Sequence, residues 1–179
     1  FRVGHCTGFG NCAQVGTMAN PKVYNPGYYS GGIEKPDSGY VTLNPGVYIL
    51  DGTKNKGGLN IPNDQCTIVA EGVMFYIAGG SVNINGGDLT LSPPTSGTYE
   101  GISIFQKRGY EEPAEINGNG KLNMTGVLYF PDNNLWIAGN GDTIGTQLIA
   151  DTIEIAGTGE INIPWNGIPQ IAQKSYLVE

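Results

Sequence analysis

Apolar and polar residues alternate along this chain in short bursts, and a helical rhythm is absent almost throughout. Most apolar runs are four to six residues long, rich in β-branched and aromatic side chains, and bounded by Gly, Asn, Asp or Pro. That is strand composition. Gly or Pro interrupts nearly every window of a dozen residues, which leaves little room for helices. The one exception is the C-terminal "IPQIAQKSYLVE", read as a final strand or a short helix.

Two phrases recur in alternation. "GVYIL" from Gly46 returns as "GVMFYI" from Gly72, "GISIF" from Gly101, "GVLYF" from Gly126 and "GTQLIA" from Gly145, at spacings of 26, 29, 25 and 19 residues. Between them fall "IAGGSVNI" (77–84), "INGNGKLNM" (116–124), "IAGNGDTIG" (137–145) and "IAGTGEINI" (155–163). Recurrence at this interval predicts a solenoid. The leucine-rich consensus is missing, and propeller blades need longer repeats. The expected fold is therefore all-β: a short parallel β-helix of about five coils, on the order of 25 Å long, with capping segments at both ends.

This fold assigns positions. Val82, Ile84, Leu89 and Leu91 point inward and Asn83, Asn85 and Thr90 outward, while Ile116, Leu122 and Met124 enter the core from two successive walls. Gly118, Asn119 and Gly120 are expected to form a corner at positive φ, repeated at Gly139 and Gly141 and at Gly157 and Gly159. Asparagines at stacked corners are expected to bond from coil to coil. Residues 1–30 are read as an N-terminal extension and cap, 31–163 as coils, and 164–179 as a C-terminal cap or strand. Open strand edges at either end would favour end-to-end assembly.

Composition narrows the function. The 179 residues carry a net charge of −7 with nine basic residues, which disfavours nucleic acid and anionic membranes as partners. No apolar run approaches the length of a membrane span, so no membrane contact is expected within the chain. It opens on Phe1 without a methionine or an apolar leader, which predicts a processed or truncated piece of a longer protein. Cys6 and Cys12 bracket "TGFGN" as a candidate disulfide fitting an oxidising compartment; the alternative is three reduced thiols, with Cys66 a small buried residue.

No constellation points to catalysis. The carboxylates are dispersed at turns, His5 lies outside the repeats, and neither a GxSxG elbow nor a P-loop is present. One histidine and no CxxC pair leave too few ligands for zinc, and "GNGDTIG" is a single incomplete calcium turn. No catalytic residue, metal or cofactor is expected. Thr-x-Thr arrays are missing, and the sequon "NMT" (123–125) falls where a strand is expected. Lys107, Arg108, Glu111 and Glu112 form the densest charge cluster and, with Tyr99 and Trp136, make the candidate contact surface. Tyr24, Tyr28, Tyr29 and Tyr40 are read mainly as cover for the first coil and as core stacking.

In order along the chain come "LNPGVYILDG" (43–52), "GVMFYIAGGSVNING" (72–86), "LSPPTSGTYEGISIFQKRG" (91–109), "INGNGKLNMTGVLYFP" (116–131), "TQLIADTIEIAGTGEINI" (146–163) and the terminal "YLVE". From Tyr28 to Glu179 this order resembles the C-terminal region of TadG-like proteins associated with tight-adherence (Flp/Tad) pilus systems. The resemblance implies a cell-envelope or secreted domain linked to adhesion and pilus assembly, with no catalytic residue to carry over. The chain departs from the family in lacking its N-terminal membrane segment. The expected function is a non-enzymatic structural or adhesive β-solenoid, extracellular or at the cell surface. Its expected partners are protein subunits, either copies of itself or pilus components, with surface glycans a further class. The alternative is a carbohydrate-binding or carbohydrate-active β-helix.

Overall fold

A computed structural model describes residues 17–34, 39–53, 56–61, 66–118, 121–139, 142–144, 147–157 and 161–164. The first rung of the fold consists of β1 (Lys22–Tyr24), β2 (Gly27–Tyr29) and β3 (Ile33–Glu34), one strand on each of three walls. The second has β4 (Gly39–Leu43), β5 (Gly46–Leu50), the two-residue β6 (Gly52–Thr53) and β7 (Lys56–Ile61). In the third, β8 (Cys66–Ala70), β9 (Val73–Ile77) and β10 (Ser81–Ile84) follow the same order. The fourth comprises β11 (Asp88–Leu91), β12 (Ile102–Gln106) and β13 (Ala114–Gly118). In the fifth, β14 (Lys121–Met124) leads into β15 (Val127–Gly139), which spans the second and third walls. In the sixth, β16 (Asp142–Ile144) is followed by the equally continuous β17 (Gln147–Ala156), and β18 (Ile161–Asn162) returns to the first wall.

The chain is an all-β parallel β-solenoid of about five turns, with no helix among the described residues. The first wall runs β1-β4-β8-β11-β14-β16-β18. The second runs β2-β5-β9-β12-β15, the third β3-β7-β10-β13-β15, and β17 caps both by pairing β15. Every pairing is parallel except the small β6–β7 ladder. The coils begin at Lys22, so β1 to β2 occupy part of the segment 1–30 that the sequence suggested as a cap. Residues 1–16 and 165–179, with Cys6, Cys12 and Trp165, lie outside the described residues.

Period-two alternation builds the core. On the first wall Ala70, Leu91, Met124 and Ile144 stack in register. On the third, Ile61, Ile84, Ile116 and Ile137 form one column beside Leu59, Val82, Ala114 and Leu135. All are buried, as are Leu89 and Leu122. Each such side chain removed from water contributes about 1.5–3 kcal/mol. Cys66 is buried among them, its Sγ 3.8 Å from the Thr67 carbonyl oxygen. The first rungs carry an inner aromatic stack: Tyr29 lies on Tyr48 at 5.9 Å, and Tyr48 meets Phe75 at 5.8 Å.

The Tyr48 hydroxyl is enclosed, its single proton shared between the carbonyls of Asn44 (2.8 Å) and Tyr24 (2.9 Å). Burial, followed by the neighbouring Tyr29 phenol, holds the Tyr48 pKa well above its usual range. A raised folded pKa means that this contribution is complete below the unfolded phenol value near ~10 and is lost as pH rises above it. Unfolding free energies from denaturant titrations between pH 8 and 11.5 should therefore fall less steeply in Tyr48→Phe than in the parent, by up to about 1.4 kcal/mol per pH unit. Equal slopes would remove Tyr48 as the cause.

The described corner glycines Gly118, Gly139 and Gly157 are stacked, but only Gly157 has the positive φ expected. Gly118 ends β13 paired with Gly139 of β15, and neither has positive φ. They are strand residues. Gly157 follows above, with φ +105° and a pro-Cβ direction 3.7 Å from Gly139. Gly120, Gly141 and Gly159 lie outside the described residues. A coil-to-coil asparagine bond does form, at the Asn-Pro-Gly corners: Asn44 Nδ2 donates to Asn25 Oδ1 at 2.8 Å.

Candidate functional site

The second wall owes its outer face to the same alternation that fills the core. Tyr28, Ile49, Tyr76, Phe105, Tyr129 and Ile149 come into register on successive rungs, one outward residue from each strand. The row spans five inter-strand steps, about 24 Å. Its middle is a ladder of rings: Tyr76 on Phe105 at 5.7 Å and 11°, and Phe105 on Tyr129 at 4.7 Å and 24°. Rings stacked this closely turn their faces to one another and their edges to solvent. The Arg108 guanidinium lies 5.8 Å from the Tyr129 ring centroid and donates to its hydroxyl.

Two excursions leave the solenoid on the fourth rung, one on each side of β12. Residues 92–101 connect β11 to β12, where other rungs use a corner of two residues, and 107–113 connect β12 to β13. The first is closed by Gly101 N–H donating to Pro94 and Glu100 N–H to Gly97. The second is held from beneath by a buried amide pair. Asn133 Nδ2 donates to Gln106 Oε1 and, at 2.8 Å, to the Tyr110 carbonyl, while Gln106 Nε2 reaches the Glu112 carbonyl at 3.1 Å. Gly109 N–H donates to Asp132 at 2.6 Å, and the Tyr110 hydroxyl accepts from Gly80 N–H at 2.8 Å. Neither excursion is needed to complete a coil, and extra ordered loops on a rigid scaffold are where contacts concentrate.

The structure thus flanks one wall with Tyr99 on the first excursion and Lys107, Arg108, Glu111 and Glu112 on the second. Tyr99 is 41% exposed, Lys107, Arg108 and Glu111 are exposed, and Glu112 is half-buried. Trp136 is not among them. It lies on the third wall, in register between Glu115 and Glu154, and is half-buried. The row Ile49, Tyr76, Phe105, Tyr129 and Ile149 escaped the sequence reading altogether.

The chain matches no protein-family model, no curated protein and no solved structure. Its surface must therefore speak through its own chemistry. A hydrogen bond from Tyr28 to Asp51 at 2.5 Å pins the first member of the row and raises the Tyr28 pKa. Among the described residues, no group of three or more His, Cys, Asp or Glu is placed to hold a metal. No helix among them is long and apolar enough to cross a membrane.

Large apolar side chains are exposed in three places. Val23 and Tyr28 lie on the first rung, with Met18 just before it. Ile153 (44%) and Ile155 (62%) lie on β17, and Ile163 follows β18. Ile49 and Tyr99 belong to the second wall and its excursion. Among the described residues, the exposed large apolar side chains therefore fall on the first rung, the last rung and one side wall.

Proposed function

We propose that this chain is a non-enzymatic structural and adhesive β-solenoid of the cell exterior, acting through its surface and through end-to-end association. The concentration of exposed apolar side chains at the two ends carries the reading. In β17, Ile153 and Ile155 continue the inward columns of Leu135 and Ile137, so core-type residues meet the last exposed edge. Because the stacked strands are parallel, the two ends differ, and an end-to-end contact is head-to-tail and open-ended. The resemblance to tight-adherence pilus proteins supports the same reading and suggests pilus components as further partners.

Sedimentation velocity and negative-stain electron microscopy test it. Concentration-dependent assemblies growing along the solenoid axis are expected. Ile153→Lys with Ile155→Lys should return them to monomers without loss of the solenoid's circular dichroism. A parent chain that stays monomeric at every concentration would sink the assembly reading. The carbohydrate alternative is weakened by the ring ladder, since sugar stacking needs open ring faces. Glycan-array binding that disappears in Tyr99→Ala or Trp136→Ala would restore it.

A further inference from the structure

We propose that the second wall docks a partner polypeptide that is apolar along one stripe and basic beside it, seated on the row from Tyr28 to Ile149. This rests on the reading of the chain as a surface-acting solenoid and names the kind of partner its side wall fits.

The row supplies an unbroken apolar ridge, because every rung contributes an aromatic or isoleucine side chain at the same outward position. A contiguous apolar patch of this kind is characteristic of interaction surfaces. Tyrosine and arginine, the residues most enriched at binding hot spots, sit at its centre as Tyr76, Tyr129 and Arg108. The ridge is also rigid: the rings brace one another, and the excursion beside them is anchored by Asn133 and Asp132. Little side-chain entropy remains to be lost on docking.

Charge selects among occupants. Two residues beyond the ridge, toward the third wall, three of the six strands place an ionisable group: Asp51 follows Ile49, Lys107 follows Phe105, and Asp151 follows Ile149. With the second excursion included, Asp51, Glu111, Glu112, Asp132 and Asp151 outnumber Lys107 and Arg108. A partner with Lys or Arg along that side gains from this excess, and an anionic one is repelled. A second copy would present the same acidic margin and a net charge of −7, so side-by-side pairing of copies is disfavoured. Glycans lose the ring faces they need, while nucleic acid and anionic lipid meet the wrong sign. A ridge about 24 Å long and one residue wide makes a small interface, so a reversible complex is expected.

Three synthetic 18-residue peptides test the assignment on the whole chain at physiological salt: a Leu/Lys amphipathic sequence, its Leu/Glu counterpart, and a Ser/Lys sequence of equal charge. Fluorescence anisotropy should show the Leu/Lys peptide binding at least about tenfold more tightly than either control. Amide shifts in nuclear magnetic resonance should concentrate at Ile49, Tyr76, Phe105 and Tyr129. Ile49→Ser with Ile149→Ser should weaken binding about tenfold, and Glu111→Gln with Asp151→Asn should weaken it and flatten its salt dependence. Equal binding of the Leu/Lys and Ser/Lys peptides would overturn the proposal, as would shifts confined to the first wall or the solenoid ends. Either failure leaves the sedimentation result intact, so docking and end-to-end association are judged separately.

Discussion

Replacing Gly58 by alanine is expected to destabilise the solenoid by about 3–5 kcal/mol, a large effect for a single added methyl. Gly58 has φ +74°, a left-handed backbone costing an alanine roughly 1–2 kcal/mol by itself. Its missing Cβ would stand 2.2 Å from the Ser81 carbonyl oxygen on the next rung. Backbone cannot swing aside as a side chain can, so relief requires opening the β7–β10 ladder. The same crowding binds Gly32 to Gly58 and Gly80 to Gly57, making a three-rung glycine corner at the start of the third wall. Gly109 is the control: its φ is +70°, but nothing lies within 4 Å of its Cβ direction. Gly109→Ala should cost only about 1–2 kcal/mol. Urea denaturation of both variants checks the contrast, and equal midpoints would show that inter-rung contact contributes nothing.

The second large effect is expected at Asn133. Its amide sits at the register break of β15 between Phe130 and Asn134 and is 5% exposed. Asn133→Ala strands the Gln106 side-chain oxygen and the Tyr110 carbonyl together, for a loss of about 2–4 kcal/mol. Hydrogen exchange across 107–113 should rise with it, because those bonds hold the excursion to the wall. The double variant Gln106→Leu with Asn133→Leu should recover part of the loss, since an apolar pair leaves fewer buried polar groups unmet. Unchanged exchange in Asn133→Ala would mean that the excursion is held by Asp132 and Tyr110 instead.

Much of the fold could be read from residue order. Spacings of 19 to 29 residues between the glycine-led phrases correspond to single turns, and "GVYIL", "GVMFYI", "GISIF", "GVLYF" and the "QLIA" of the last phrase do stack on one wall. The inward assignments of Val82, Ile84, Leu89, Leu91, Ile116, Leu122 and Met124 agree with their burial. The conformation of the corners was less legible. "INGNG" reads locally as a turn, but pairing extends β13 through Gly118, and positive φ is found not only at the corner glycine Gly157 but also at Gly58 and Gly80, which the repeat did not mark.

The outer surface was hidden for a specific reason. Counting from the leading glycine, the row residue is third at Ile49 and Tyr129 but fourth at Tyr76, Phe105 and Ile149. From Phe105 to Tyr129 the count shifts at an irregularity of β12 between Ile102 and Ile104; at the other two shifts the strands pair regularly one residue out of step with their glycines, Gly46 opposite Val73 and Val127 opposite Gln147. A bulge changes which residues share a column without altering the local apolar pattern. Alternation and glycine punctuation are local properties, so the sequence by itself determined the strands, the repeat and the apolar interior. Alignment between rungs depends on inter-strand hydrogen bonds summed over the whole stack, so only the tertiary structure decided that six residues form one ridge and that Trp136 faces a different way from Tyr99.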